Sequence, residues 1–255
     1  MSCGIRVRVS IALTCCVAGL PPLWMALSAA TAAQQSPSGN AAASGQEERL
    51  HPAQVSVNRS RVYTIVGKTG LGHDHAVEGR IRSGHLSLGA TSDAGEIVFD
   101  MNSFDADTDR ARRFAGMQGS TDAATRQQVN ANMRAGSILN VRQYPTATFV
   151  VSAARLLDQN SAAGTARYEL EGKFTLCGTT RPLKFSVTAE ARDGLTSVRG
   201  SFSILQTQYG ITPFRKALGV VGVADRLTIH GDLWVAPAAG TGDAAETPGA
   251  EFGSR

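Results

Sequence analysis

Between residues 61 and 237 the sequence returns again and again to one pattern. β-Branched and aromatic residues alternate with polar ones over short stretches bounded by Gly, Asp, Asn or Pro, which is the signature of half-buried strands. The stretches are RVYTIVG (61–67), VEGRIRSGHLSLG (77–89), GEIVFDM (95–101), TATFVVSAARLL (146–157), ARYELEGKFTLCG (166–178), PLKFSVTAEARDG (182–194), VRGSFSILQTQYG (198–210) and RLTIHGDLWVAP (226–237), eight in all. In the fifth, Tyr168, Leu170, Gly172, Phe174 and Leu176 share one face, and Glu169, Glu171, Lys173 and Thr175 the other. The last repeats this, with Leu227, Ile229, Gly231, Leu233 and Val235 opposite Thr228, His230, Asp232 and Trp234. Strands that are oily on one side only must close into a barrel or stack as a sandwich, because open edges invite aggregation.

One segment breaks the alternation. TDAATRQQVNANMRAGSILN (121–140) is rich in Ala, Gln and Arg and predicts a helix, with Asp122 as N-cap, Gly136 as stop, and Val129 and Met133 spaced to face the barrel wall.

The flanks have a different character. Residues 1–33 carry Arg6 and Arg8, an apolar run from Ile11 to Leu27 and then small residues, with no acid; this is the layout of a cleaved signal peptide. Residues 34–50 and 237–255 are short of large apolar side chains, which predicts a flexible leader and a disordered tail. The folded domain is therefore expected over 51–236, as one unit.

Removing the signal segment takes Arg6 and Arg8 from 25 basic residues and nothing from 21 acidic ones, so the mature chain is close to neutral. Without a basic tract or an aromatic-laced basic strand, nucleic-acid binding is excluded. Of the cysteines only Cys177 lies outside that segment; the domain must hold itself together by its core rather than by an internal disulfide.

The sharpest chemical signal is GHDHAVEG, 72–79. His73 and His75 in an H-x-H pair point the same way along a strand, which suits a transition metal, and Asp74 offers a supporting contact. A zinc centre needs three or four ligands, however, and His51, His85 and His230 are far away in sequence. The expectation is a rim turn with no metal; a metal- or haem-dependent redox or stress protein using His73 and His75, with His230, stands as the alternative.

Other chemistry finds less support. Asp105, Asp107 and Asp109 have calcium-loop spacing, but Arg110 and Gly116 occupy the positions where an EF-hand needs Gly and Glu. These acids are expected to pair with Arg110, Arg112 and Arg113. Cys177 sits in a turn, and neither a nucleophile elbow nor a phosphate-cradling glycine loop occurs. What remains is the apolar face itself: Ile97, Phe99, Met101, Phe149, Val151, Phe174, Leu176, Phe185, Val187, Phe202, Ile204, Leu227 and Ile229. An eight-stranded barrel either fills with such side chains or holds one apolar ligand, and pattern does not choose between them.

The order of the pieces adds something that pattern lacks. RVYTIVGKTGLGHDHAVEG, SFDADTD, MRAGSILNVRQYPTATF, GKFTLCGTTRPLKFSV, QTQYGITPF and VADRLTIHGDLWV together resemble the YceI-like domain family from about Arg61 to Ala236. The resemblance implies an eight-stranded antiparallel lipocalin-like β-barrel with one covering helix, periplasmic or secreted, and without catalytic activity or cofactor. It implies that the residues named above line a lumen holding an amphiphilic lipid, a polyisoprenoid or isoprenoid quinone. As partners we expect that isoprenoid-type lipid and, at most, a second copy of the chain in a homodimer, with no stable membrane anchor.

Overall fold

The computed structural model describes residues 49–160 and 164–238; the expected signal peptide and nearly all of the expected leader and tail lie outside them. The strands are β1 (Arg61–Gly70), β2 (His75–Leu86), β3 (Gly95–Ala106), β4 (Thr146–Asn160), β5 (Thr165–Leu176), β6 (Thr179–Arg192), β7 (Leu195–Leu205), β8 (Arg215–Lys216) and β9 (Val221–Val235). Their order in the sheet is β1 to β7, then β9, and β1 pairs back onto β9. The eight long strands thus form a closed antiparallel ring, and each is one of those predicted. The additional strand β8 is two residues long, too short for alternation to reveal it.

Hairpin chemistry fixes the register. Cys177–Gly178 and Asp193–Gly194 all have positive φ, the geometry of two-residue turns whose twist matches that of the flanking strands. They set Leu176 opposite Thr179 and Arg192 opposite Leu195.

Two helices follow β3, not one. α1 (Asp109–Phe114) is capped by the Thr108 hydroxyl, which accepts from Ala111 N–H. Six residues are too few to show helical periodicity, so the sequence reads this stretch as an acidic loop. The pairing expected there holds in part: Asp107 is met by Arg112 as well as by His75, whereas Asp105 is held by Arg126 and Arg110 reaches Glu78. α2 (Ala123–Arg134) starts as expected, Asp122 accepting from Thr125 N–H at 2.9 Å. It ends before Gly136, because Ala135 is already extended at φ −61°, ψ 160°.

The ring is laced evenly at one end and splayed at the other. The β6–β7 ladder runs from Arg192–Leu195 only as far as Val187–Gly200; beyond it, Tyr209 and Ile211, both buried, fill the gap, and Arg181 Nε donates to the Gln208 carbonyl at 2.6 Å. The β3–β4 ladder likewise stops at Asp100–Thr146. From there α2 takes over: Asn130 Oδ1 accepts from Ala106 N–H at 2.8 Å, and the Arg134 guanidinium donates to the Phe104 carbonyl. The other end is shut by residues 51–60, where Val55 N–H donates to Gly84 O and Ser56 N–H to Trp234 O. This strap explains a departure from the strand pattern. Trp234, on the face expected to be wet, is buried because the Arg59 guanidinium lies 3.8 Å over its ring. Among the described residues no helix is long and apolar enough to cross a membrane.

Candidate functional site: an apolar cavity with a histidine–aspartate corner

Splaying the strands leaves space. At the open end, beneath α2 and the connection from β7 to β9, lies a cavity of about 170 Å³. Of the residues expected to line a lumen, Phe99, Met101, Phe174, Leu176, Phe202, Ile204, Leu227 and Ile229 do so. Toward the strapped end the walls meet. Ile97, Phe149, Phe185 and Val187 face a residual space of only about 40 Å³, and Val151 is fully buried and faces neither. The barrel is therefore half filled: a floor of packed side chains beneath an empty upper half. Phe174 stands at the boundary, its ring edge-on to those of Phe99, Phe202 and Tyr209 at 5.7–6.1 Å. Such contacts lock the aromatic floor in one arrangement.

The sequence reading missed part of the wall. Val62, Val66, Val77 and Phe104 line the cavity from β1, β2 and β3, and Ile138, Leu139 and Phe214 from the loops. The strand alternation carried the first three; the loop residues have no periodic signal. Val129 and Met133 line it as their helical spacing foretold. Among the described residues, polar groups enter this wall as Thr64, His75, Asn132 and Gln206.

His75 belongs at once to the cavity and to a polar corner. It opens β2, and its Nδ1 lies 2.7 Å from Asp107 Oδ2. Asp107 follows β3 in the left-handed region at φ 56°. That turn folds its carboxylate back over β2, where Oδ1 accepts from Ala76 N–H at 3.2 Å while Asp107 N–H donates to Ala76 O at 2.7 Å. The Thr121 hydroxyl donates to Oδ2 at 3.2 Å, and Arg112 comes within 3.6 Å of Oδ1. Arg112 is itself held by the carbonyls of Gln118 and Gly119. Burial by itself would raise the Asp107 pKa; the hydrogen bond and charge of His75, with the Ala76 amide, outweigh it and hold the carboxyl at about 2. His73, half exposed, completes the corner with Nε2 3.6 Å from Asp107 Oδ2.

The remaining candidates are elsewhere. Asp74 accepts from Lys68 N–H at 2.8 Å within the β1–β2 turn and does not support the histidines. His230 packs against Phe114 on the outer wall, where burial lowers its pKa. His85 bridges to Gln54 in the strap. Cys177 donates to Leu139 O at 3.4 Å, and burial pushes its thiol up to about 11, far from a reactive thiolate.

At the open end the rim carries exposed apolar side chains. Leu71, Leu218 and Val220 are exposed, and Leu71 N–H donates to Val220 O at 2.9 Å. The exposed cations Lys68, Arg215 and Lys216 stand on the same strands and loop.

Among solved structures, the fold is similar to BcnA of Burkholderia cenocepacia, with 17% identity over 71% of this chain and 98% of that one, at a TM-score of 0.46. It is also similar to a polyisoprenoid-binding domain from Saccharophagus degradans (14% identity, 73% and 99% covered, TM-score 0.49) and to a Campylobacter jejuni YceI protein (10%, 66% and 83%, 0.37). No curated protein sequence matches significantly. The family model for the YceI-like domain matches residues 50–234, from the strap that shuts one end of the ring to the end of the strand β9 that closes it, and the chain belongs to the YceI-like domain family.

Proposed function

We propose that this protein is an exported carrier for an amphiphilic lipid of isoprenoid type, held with its tail in the barrel and its polar end at the rim, without chemistry of its own. The observation that carries this is the cavity of about 170 Å³, walled by apolar side chains apart from four polar residues. A single water needs ~10–15 Å³ of such space, so roughly a dozen methylene-sized groups fit. That is two or three prenyl units, and a longer chain trails out or displaces side chains. At about 0.8 kcal/mol per buried CH₂, a dozen contribute ~10 kcal/mol gross, which exceeds the lower estimates, about 4 kcal/mol, of the cost of association.

The surroundings suit an amphiphile. Asn132, Gln206 and His75 supply hydrogen-bonding groups in the cavity wall, and the apolar, cationic rim favours brief contact with an anionic membrane surface during uptake. Periplasmic or secreted location rests on the signal-peptide layout of residues 1–33.

Extraction tests the reading. Organic solvent applied to folded protein from a native-like host, followed by mass spectrometry, is expected to release a prenyl-type lipid in near-stoichiometric amount. Folded protein that yields none, and that fails to take up a fluorescent farnesyl analogue, overturns it.

A further inference from the structure

We propose that His73, His75 and Asp107 form a binding site for a divalent transition cation of the zinc class, with one coordination position left to water or an exogenous ligand. The three residues come from two separate places in the chain, His73 and His75 from the β1–β2 turn and the first residue of β2, Asp107 from just after β3. Each offers one ligand atom, and these atoms all lie within 4.8 Å of one another.

The spacing is close to what a bound ion requires. Tetrahedral donors at zinc's usual bond lengths of ~2.0–2.2 Å stand roughly 3.3 Å apart. The distances to Asp107 Oδ2, 2.7 Å from His75 Nδ1 and 3.6 Å from His73 Nε2, straddle that value. The imidazoles are 4.5 Å apart and tilted by 56°, so both edges turn toward the carboxylate without stacking. A few tenths of an ångström at His75, and a small swing of the half-exposed His73, complete the geometry.

Asp107 is prepared as a ligand. Its side chain is fully buried, so the groups around it fix where its two oxygens point. Ala76 N–H and Arg112 engage Oδ1 and the Thr121 hydroxyl donates to Oδ2 at 3.2 Å, which orients the carboxylate with Oδ2 toward the histidines, the role that outer contacts play around metal ligands. Two imidazoles and one carboxylate suit zinc, cobalt or nickel. Calcium, which takes six to eight oxygens, is disfavoured. Three protein ligands with a vacancy is the pattern of an open site. Since His75 also lines the cavity, a bound cation would adjoin whatever occupies it. The inference rests on this cluster alone and not on the lipid reading.

The test uses the full chain after chelator treatment. Zn²⁺ titrated in a calorimeter is expected to bind one to one, with micromolar affinity or tighter, and Co²⁺ to give the intense visible bands of a four-coordinate ion. His73→Ala, at a half-exposed position, keeps the fold and weakens Zn²⁺ at least ~10-fold; His75→Ala abolishes the Co²⁺ bands. Circular dichroism checks that each variant is folded. Folded wild-type protein giving neither heat nor bands, or Zn²⁺ binding unchanged in His73→Ala, overturns the proposal. The lipid content of the same preparations, read by mass spectrometry, judges the carrier function separately.

Discussion

Replacing Ala147 by Leu separates a ligand cavity from an ordinary core by the sign of the stability change. Ala147 is buried, faces inward on β4 opposite Phe99, and lines the 170 Å³ cavity. Leu adds three carbons there. Placed in empty apolar space, they contribute up to ~2 kcal/mol of burial to the ligand-free protein at about 0.8 kcal/mol each. In a filled core the same change costs about 1–3 kcal/mol through displaced side chains and backbone. Ala154 provides the internal control, being fully buried on the same strand and lining no cavity. Urea unfolding of delipidated protein is therefore expected to show Ala147→Leu unchanged or more stable, and Ala154→Leu destabilised by more than ~1 kcal/mol. The added carbons occupy volume a tail would use, so competition with a fluorescent farnesyl analogue should show affinity reduced by about 2 kcal/mol, some 30-fold. If Ala147→Leu destabilises as much as Ala154→Leu and leaves binding untouched, the cavity is not where the ligand sits.

Three further outcomes follow from particular residues. The Asp107 carboxyl is depressed from 3.8 to about 2, so the stability it contributes is present above pH ~4 and lost as the pH falls toward 2; urea midpoints of the wild type and Asp107→Asn should converge over that interval. At Gly172, in β5 beside a bulge in β4, a Cβ would collide with the Val150 carbonyl oxygen, and Gly172→Ala should cost at least about 2 kcal/mol in the same assay. Leu218→Asp, at a fully exposed rim position, should leave the urea midpoint within ~0.5 kcal/mol while slowing transfer of the farnesyl analogue from anionic vesicles. Unchanged transfer would show that the rim takes no part in uptake.

Much of this molecule is written locally. Alternation assigns Leu170, Phe174 and Leu176 to one face of β5 whatever the rest of the chain does, since side-chain direction reverses at every residue. Asp122 caps α2 because its oxygen meets an unpaired amide three residues on. The missed helix α1 shows the limit: six residues give no period to read.

What the sequence by itself determined is the ring of one-sided strands, the helix cap and the ordered motifs of the family. Tertiary structure decided where that ring is empty. Phe202 and Val151 carry the same inward-facing pattern, yet one borders the cavity and the other is sealed in the floor, because opposite walls meet only where both ladders run their full length. It likewise decided the polar corner. His75 and Asp107 are 32 positions apart, and only the close of β3 beside the start of β2, with a left-handed turn at Asp107, brings carboxylate and imidazole together.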